Sequence, residues 1–154
     1  LTPFSSFALK SDRLAPVSLN ADYVDFNQKA HLGEYKGNII LNQGTSHLRA
    51  HSATTTLDEK NQLIKATVIG NKHIQAHFWT TTESNKPPLH AYADKITYYP
   101  QKHLVRLTGH ARIIQGKDTF HAPIINFNTL SHQINAEKKG QERTKIYIQS
   151  GHHQ

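Results

Sequence analysis

The sequence predicts an all-β fold in which one structural unit occurs twice. Residues 21–56 align without insertion with residues 93–128, at a constant offset of 72 positions. Turn signals recur at the roughly 8–12-residue spacing that is typical of β-sandwiches, barrels and rolls, and helix signals are almost absent. Two copies that are each too small to bury a hydrophobic face are expected to stack into one core. The matching residues are Ala21, Asp22, His31, Leu32, Gly37, Gln43, Gly44 and Ala50 with Ala93, Asp94, His103, Leu104, Gly109, Gln115, Gly116 and Ala122.

Alternation and turn residues predict the elements in chain order. Pro16-Val17-Ser18-Leu19 alternates and indicates a strand before the first copy. Lys86-Pro87-Pro88 cannot continue a β-ladder, which predicts a linking loop over residues 83–88. Lys145-Ile146-Tyr147-Ile148 alternates again and predicts a last strand. We expect one domain over residues 1–154, with repeat one at about 17–78 and repeat two at about 90–148.

Comparison of the two copies predicts which side chains point inward, because successive side chains of a strand face opposite sides. Positions 39/111 and 41/113 are apolar in both copies, whereas position 112 is arginine. A one-residue slip would turn Arg112 into the core, and burying an unpaired charge is too costly. The residues predicted to lie inside are Ile39, Leu41, Ala111, Ile113, Val24, Ile96, Phe26, Tyr98, Tyr35, Leu107, Leu48 and Phe120.

Composition limits the classes of partner. The net charge is +7, with 12 histidines and no cysteine, which favours an anionic partner such as nucleic acid, a membrane surface or a phosphorylated lipid. No apolar run approaches the roughly 20 residues that a membrane-spanning helix needs. Basic β-modules that bind nucleic acid usually expose aromatic side chains among basic ones. Here Phe26, Tyr98 and Phe120 are assigned to the interior, so a nucleic-acid partner is not expected. A basic nucleic-acid-binding β-module remains the alternative function from a different functional class.

Candidate catalytic and metal-ligating residues have simpler explanations. Asp22 and Asp94 occupy equivalent positions but lack the Asp-Thr/Ser-Gly context of a proton-sharing pair, so a turn or strand-start role is expected. The pairs His47/His51 and His73/His77 are four residues apart. On a strand this spacing corresponds to about 13 Å, too far for one metal ion, and we expect surface histidines. The sequence therefore predicts no enzyme, no metal site and no cofactor.

Four segments resemble one known family. They are Gly37–Gly44, Leu107–Gly116, Ala21-Asp22 and Ala93–Tyr98. Their order, duplication and spacing are similar to those of the OstA-like family, and in particular to its LptA-type periplasmic bridge proteins of lipopolysaccharide transport. The resemblance runs from about Pro16 to Ile148.

The resemblance implies an open β-jellyroll of stacked antiparallel strands in the periplasm. In this family the acyl chains of lipopolysaccharide lie in the apolar interior, and nothing is catalysed. Protomers join end to end by β-augmentation, and the bridge extends from LptC at the inner membrane to LptD at the outer membrane. The alternatives within the pathway are LptC itself, with a membrane anchor, and the N-terminal domain of LptD, with a large barrel. A stand-alone chain of this length favours the bridge protein. A cleavable signal peptide before Leu1 would indicate the bridge protein, and an uncleaved anchor would indicate LptC.

The resemblance also implies the site residues. Val17 and Leu19 correspond to an apolar first-strand pair near the N-terminal opening, and Phe78 and Tyr98 to aromatic lining deeper inside. Pro100 departs from the family pattern, which has an apolar residue there. The predicted lipid-binding groove comprises Val17, Leu19, Val24, Phe26, Ile39, Leu41, Leu48, Phe78, Ile96, Tyr98, Leu107, Ile113 and Phe120. The predicted oligomer interface comprises Val17, Leu19, Ile146 and Ile148. The alternative for each groove residue is a plain role in the core of a roll.

Overall fold

Strands joined by short turns make up most of the chain, which confirms the all-β fold class. The computed structural model describes residues 18–128, 131 and 133–148. Within these residues no helix is long and apolar enough to cross a membrane, and a 3₁₀ turn covers Pro100–Lys102. The strands are β1 Ser18–Asn20, β2 Tyr23–Asn27, β3 Leu32–Gln43, β4 Ser46–Leu57, β5 Leu63–Ile69, β6 Ala76–Thr80, β7 Leu89–Ala93, β8 Lys95–Tyr99, β9 Leu104–Gln115, β10 Asp118–Asn128, β11 Ile134–Glu137 and β12 Lys145–Tyr147.

The four long strands β3, β4, β9 and β10 each belong to two layers. Their pairing is interrupted near the middle, between Lys36 and Ile39 in β3 and between Ala122 and Ile124 in β10. In the first layer, the segments 39–43, 46–50, 111–115 and 118–122 pair with β1, β6, β7 and β12. In the second layer, the segments 32–36, 52–57, 104–108 and 124–128 pair with β2, β5, β8 and β11. Buried apolar residues of both layers form one core cluster.

The interruption is the same hydrogen-bonded corner in both copies. Gly37 and Gly109 have φ angles of 79° and 84°, a left-handed conformation that glycine adopts without steric cost. The backbone N–H of Asp22 donates to the Gly37 carbonyl at 2.9 Å, and that of Asp94 donates to the Gly109 carbonyl at 2.9 Å. The two aspartates therefore lie at strand-start corners, as predicted.

The aspartate carboxylates reinforce these corners. In the first copy the Asn38 side-chain amide donates to Asp22 Oδ2 at 2.9 Å. In the second copy His110 Nδ1 takes the place of that amide, 2.9 Å from Asp94 Oδ2, and Gln75 Nε2 donates to Asp94 Oδ1 at 3.2 Å. The Asp94 carboxylate raises the pKa of His110, through the hydrogen bond and through its charge.

The two copies follow one another along a single path of hydrogen-bonded neighbouring strands, here called the sheet path. β2 and β8, and likewise β3 and β9, begin and end at positions 72 residues apart, which confirms the internal repeat. The copies meet where β8 pairs with β5 and β7 pairs with β6. Residues 83–88 lie between β6 and β7, outside any strand. The bounds given above for the two repeats remain a prediction.

Candidate functional site

An unbroken row of apolar residues crosses the inner face of the first layer. Directly opposed residues on neighbouring strands point to the same side of a sheet, so the register of pairing traces the row from strand to strand. At its centre Leu48, Phe78 and Ile113 are at most 6% exposed. In spatial order the row is Leu19, Leu41, Leu48, Phe78, Ala91, Ile113, Phe120 and Ile146.

Two further rows cross the inner face of the second layer. One runs through Val24, Tyr35, Ala53, Val68, Ile96, Leu107, Ile125 and Ala136. The other runs through Phe26, Gly33, Thr55, Ala66, Tyr98, Val105, Phe127 and Ile134. The three rows contain no carboxylate, histidine, lysine or arginine. Their titratable groups are the phenols of Tyr35 and Tyr98, and burial raises the pKa of Tyr98. This surface offers apolar contact rather than acid–base chemistry.

The space between the layers is nearly filled in the central part of the molecule. A cavity of about 40 Å³ remains there, and apolar residues of both layers line it. Phe78, Leu89, Ala91 and Ile113 contribute from the first layer, and Ile96, Val105, Leu107, Phe127 and Ile134 from the second. Near the β3–β4 turn the inner face becomes polar, where the hydroxyls of Ser46 and Thr80 are 2.8 Å apart and buried.

Most residues predicted to lie inside are buried. Ile39, Leu41, Leu48, Phe78, Ile96, Tyr98, Leu107, Ala111 and Ile113 are each at most 8% exposed. Tyr35 and Phe120 are partly buried against this core. The pattern comparison therefore assigned the inner face correctly through the middle of the sheet path.

At the first end of the sheet path the prediction of burial is wrong for the isolated chain. Val24 and Phe26, both predicted to lie inside, are 53% and 42% exposed. Leu19, predicted only as a groove and interface residue near the N-terminal opening, is 41% exposed. All three are on the inner-face rows, but β1 and β2 are the first strands of their layers within residues 18–128, and no other strand in that range covers them. At the other end Ile146 and Ile148, which the sequence predicts as interface residues, are 52% and 63% exposed, and their role in an interface stays a prediction. Val17 lies outside the described residues.

Sequence reasoning missed a stack of rings on the outer face of the first layer. The ring centroids of His47 and Trp79 are 5.0 Å apart, those of Trp79 and His77 4.4 Å, and those of His77 and Tyr92 4.1 Å. His77 Nε2 and His90 Nδ1 share a hydrogen bond of 2.8 Å. Two of the histidines expected to be plain surface residues are thus half-buried members of a stack. The alternation His77-Phe78-Trp79 beside His90-Ala91-Tyr92 was the available signal.

For two histidines of the stack, His77 and His90, the surroundings favour the neutral form. Burial, together with the positive charges of His90, Arg49 and Arg112, lowers the pKa of His77 from 6.5 to about 4, and burial is the largest of these causes. Burial also lowers the pKa of His90. Among the residues that the structure describes, no three His, Cys, Asp or Glu side chains come together as a metal site.

Family comparison agrees with this arrangement of stacked strands. Residues 18–133 match the family described as LptA/(LptD N-terminal domain) LPS transport protein. The chain belongs to this family. The lipopolysaccharide export system protein LptH of Pseudomonas aeruginosa is 27% identical over 131 residues, which are 85% of this chain and 73% of LptH. LptA of Escherichia coli K12 is 24% identical over 146 residues, which are 94% of this chain and 77% of LptA.

A solved structure of the family has the same architecture. The crystal structure of P. aeruginosa LptH, described as the LptA homologous periplasmic component of the lipopolysaccharide transport device, superposes with a TM-score of 0.78. The two sequences are 25% identical in this comparison, which covers 90% of this chain and 99% of that one. The resemblance to the OstA-like family and the β-jellyroll fold class are thereby confirmed. The family is described as one of lipopolysaccharide transport proteins.

Proposed function

We propose that this chain carries lipopolysaccharide across the periplasm by holding its acyl chains against the inner-face rows. The observation that carries the proposal is the continuity of these rows, which run from the first strand of each layer to the last without a charged side chain. Each methylene that leaves water for such a surface contributes about 0.8 kcal/mol. The absence of charged groups from the rows means that no single position holds the chain by directional bonds, which suits a path along which a lipid advances.

Loading requires the two layers to move apart. A cavity of about 40 Å³ has room for only a few water molecules, so an acyl chain has to displace the side chains that meet at the centre. Those side chains come from different layers, and both layers are joined through the glycine corners at Gly37 and Gly109. The exposed ends of the rows, at Leu19, Val24 and Phe26, offer an apolar surface that a lipid reaches before this opening.

The ends of the sheet path are proposed as joints. Among the residues that the structure describes, β1 and β2 pair on one side only, as do β11 and β12, and an unpaired edge accepts a strand of a partner by β-augmentation. The joint between the two copies inside the chain is a template for such a contact. There the first strands of copy two, β7 and β8, pair with the last strands of copy one, β6 and β5.

If two chains join in the way that the two copies join inside one chain, the register of strand pairing between the chains follows. Inside the chain Ala91 faces Phe78, Ile96 faces Val68 and Tyr98 faces Ala66. The equivalent residues at the open ends are then paired as Leu19 with Ile146, Val24 with Ala136 and Phe26 with Ile134. This pairing buries the apolar side chains left exposed in the single chain and joins the three rows into continuous tracks. The same edges are proposed to accept LptC at the inner membrane and LptD at the outer membrane.

Photo-crosslinking tests the lipid surface. A photoreactive residue at inner-face Leu41 should capture lipopolysaccharide, and one at Thr54, which is exposed and outward in the same two-layer hairpin, should not. Lipid A vesicles and purified lipopolysaccharide serve as ligands, and the adduct is identified by mass. Equal capture at the two positions would refute the assignment of the groove.

Cysteine crosslinking tests the joint. The natural chain has no cysteine, so the pair Phe26→Cys with Ile134→Cys introduces the only thiols. Oxidation should produce a ladder of disulfide-linked multimers, because the template places these positions opposite one another in different chains. The matched control moves one cysteine to Asn135, whose side chain faces away from the inner surface. A ladder of equal intensity from the control would contradict the proposed register.

A further inference from the structure

The outer face of the first layer carries a row that is basic and aromatic across consecutive strands. Arg49, His77, Tyr92 and Arg112 oppose one another in register on β4, β6, β7 and β9. The row continues through His121 and Lys145 on β10 and β12. The next outer row toward the β3–β4 turn is Asn42, His47, Trp79, His90, Ile114, Thr119 and Tyr147. Neither row contains a carboxylate.

The two arginines of this row lack counter-charges. Within residues 18–128, 131 and 133–148, the ion pairs of the structure involve Lys86, Arg106 and His110 and neither Arg49 nor Arg112. The guanidinium carbon of Arg112 lies 4.2 Å from the centre of the Tyr92 ring, so it leans toward the middle of the row. Both arginines also oppose protonation of His77, which means that their positive potential overlaps there. Such a potential favours the approach of an anion.

A groove lies over this part of the row. Its volume is about 350 Å³, and Arg49, His73, Ile74, Gln75, His77, Tyr92 and Arg112 line it. A volume of this order matches small-molecule sites. The stack of rings fixes the side chains of the floor before a ligand arrives, and preorganisation of this kind reduces the entropic cost of binding. Ile74, which is 69% exposed, adds an apolar wall.

The geometry of the rings favours a phosphorylated saccharide over a nucleic acid. Bases bind by stacking on free aromatic faces, but here His77 is stacked between Trp79 and Tyr92, so the faces are already in use. With these faces occupied, the edges of the rings are left for a ligand, and Tyr92, which lines the groove, contributes a hydroxyl. Edges of this kind hydrogen-bond to sugar hydroxyls, and arginine pairs with phosphate in a bidentate manner.

We propose that the groove between Arg49 and Arg112 binds the phosphorylated saccharide headgroup of the glycolipid whose acyl chains the inner face carries. This inference rests on the proposed function. In β4 the inward Leu48 lies between the outward His47 and Arg49, so the two surfaces are opposite sides of one strand. A saccharide that leaves the inner face over the β3–β4 turn meets the His47 row first and the Arg49 row next.

Titration with an acyl-free ligand tests the groove apart from the lipid surface. The ligand is the phosphorylated oligosaccharide of lipopolysaccharide after complete removal of its acyl chains. Trp79 is the only tryptophan and belongs to the stack, so its fluorescence reports on the groove, and calorimetry supplies a second readout. The double variant R49Q/R112Q should bind about tenfold or more weakly, because two charge-assisted contacts are lost. The control R106Q/R143Q removes the same charge elsewhere and should remain within about twofold of the natural chain.

Several outcomes would overturn the inference. They are unchanged affinity of R49Q/R112Q by both readouts, an equal loss in the control, equal binding of the dephosphorylated oligosaccharide, or tighter binding of a single-stranded oligonucleotide. Far-UV circular dichroism checks that the variants are folded, and Arg112→Lys should retain part of the affinity. Failure of the proposed function gives a different result. If a photoreactive residue at Leu41 captures no lipid while the oligosaccharide still binds, the proposed lipid surface on the inner face is refuted and the outer groove between Arg49 and Arg112 is not.

Discussion

Gly109 occupies the corner at which β9 passes from the second layer to the first, and replacing it with alanine tests how the corner is held. Its φ angle is 84°, and an added Cβ would lie 2.5 Å from Asp94 Oδ2 and 2.8 Å from Asp94 Cβ. The carboxylate oxygen is the flexible end of its side chain, but the Asp94 Cβ is fixed to the backbone. The corner itself therefore has to shift.

The expected cost has two parts. A left-handed conformation costs a residue with a Cβ about 1–2 kcal/mol relative to glycine. Overpacking against a fixed atom typically adds about 1–3 kcal/mol, and the shift also disturbs the hydrogen bonds that His110 and Gln75 make with Asp94. Together these give a loss of roughly 2–5 kcal/mol in the free energy of unfolding, a large part of the 5–15 kcal/mol typical of a domain.

Gly116→Ala is the matched control. Gly116 also has a positive φ, 60°, but an added Cβ there meets nothing closer than Pro87 Cγ at 3.4 Å, so only the conformational part, about 1–2 kcal/mol, applies. Urea denaturation followed by circular dichroism and by Trp79 fluorescence measures both variants. Gly37→Ala, whose Cβ would meet Asp22 in the same way, should resemble Gly109→Ala. Equal losses for Gly109→Ala and Gly116→Ala would show that the contact with Asp94 does not hold the corner.

Three further predictions concern the core and two of the histidines with shifted pKa values, His77 and His110. Leu107→Ala, at a 2% exposed position, should lower the free energy of unfolding by about 2–5 kcal/mol, whereas Leu32→Ala, at a 46% exposed position, should cost under about 1 kcal/mol; similar urea midpoints would contradict this difference. Trp79 emission should show a transition with a midpoint near pH 4, because the Trp79 ring stacks on His77, and His77→Phe should abolish that transition. Since this pKa is lowered on folding, His77 makes the fold less stable as the pH falls from 6.5 toward 4. The pKa of His110 is raised on folding, so its effect on stability has the opposite direction. The stabilisation by the protonated imidazole is complete below the ordinary histidine pKa and is lost as the pH rises through the pKa of the folded state. Replacing His110 with asparagine, as at the equivalent Asn38 of the first copy, should therefore remove this pH dependence of the urea midpoint.

The repeat explains why so much of the inner face was predictable. A single strand with apolar residues on both sides, such as the one containing Ile39, Ile40 and Leu41, does not reveal its buried face. The second copy does, because Arg112 occupies the position equivalent to Ile40, and a charged side chain is excluded from the core. The turns were predictable for a similar reason, since Gly37 and Gly109 mark corners that need a left-handed backbone.

Exposure at the ends was not predictable from the repeat. Val24 and Ile96 are equivalent in sequence, yet one is 53% exposed and the other 3%. The difference comes from position in the sheet: Ile96 has a strand on both sides, and Val24 belongs to the first strand of its layer. Burial of a strand residue depends on its neighbours in space, which alternation along one chain does not report.

The sequence by itself determined the strand class, the two copies, the corners and the inward face of the central strands, because these follow from local backbone preferences and from the exclusion of charge from the core. Only the tertiary structure decided which strands lie at the edges and which outward side chains of β4, β6, β7 and β9 come together as His47, Trp79, His77, Tyr92 and Arg112. Those residues are distant in sequence, and the contact between them is created by the pairing of strands. The joints proposed at the ends and the anion groove proposed on the outer face both depend on that pairing.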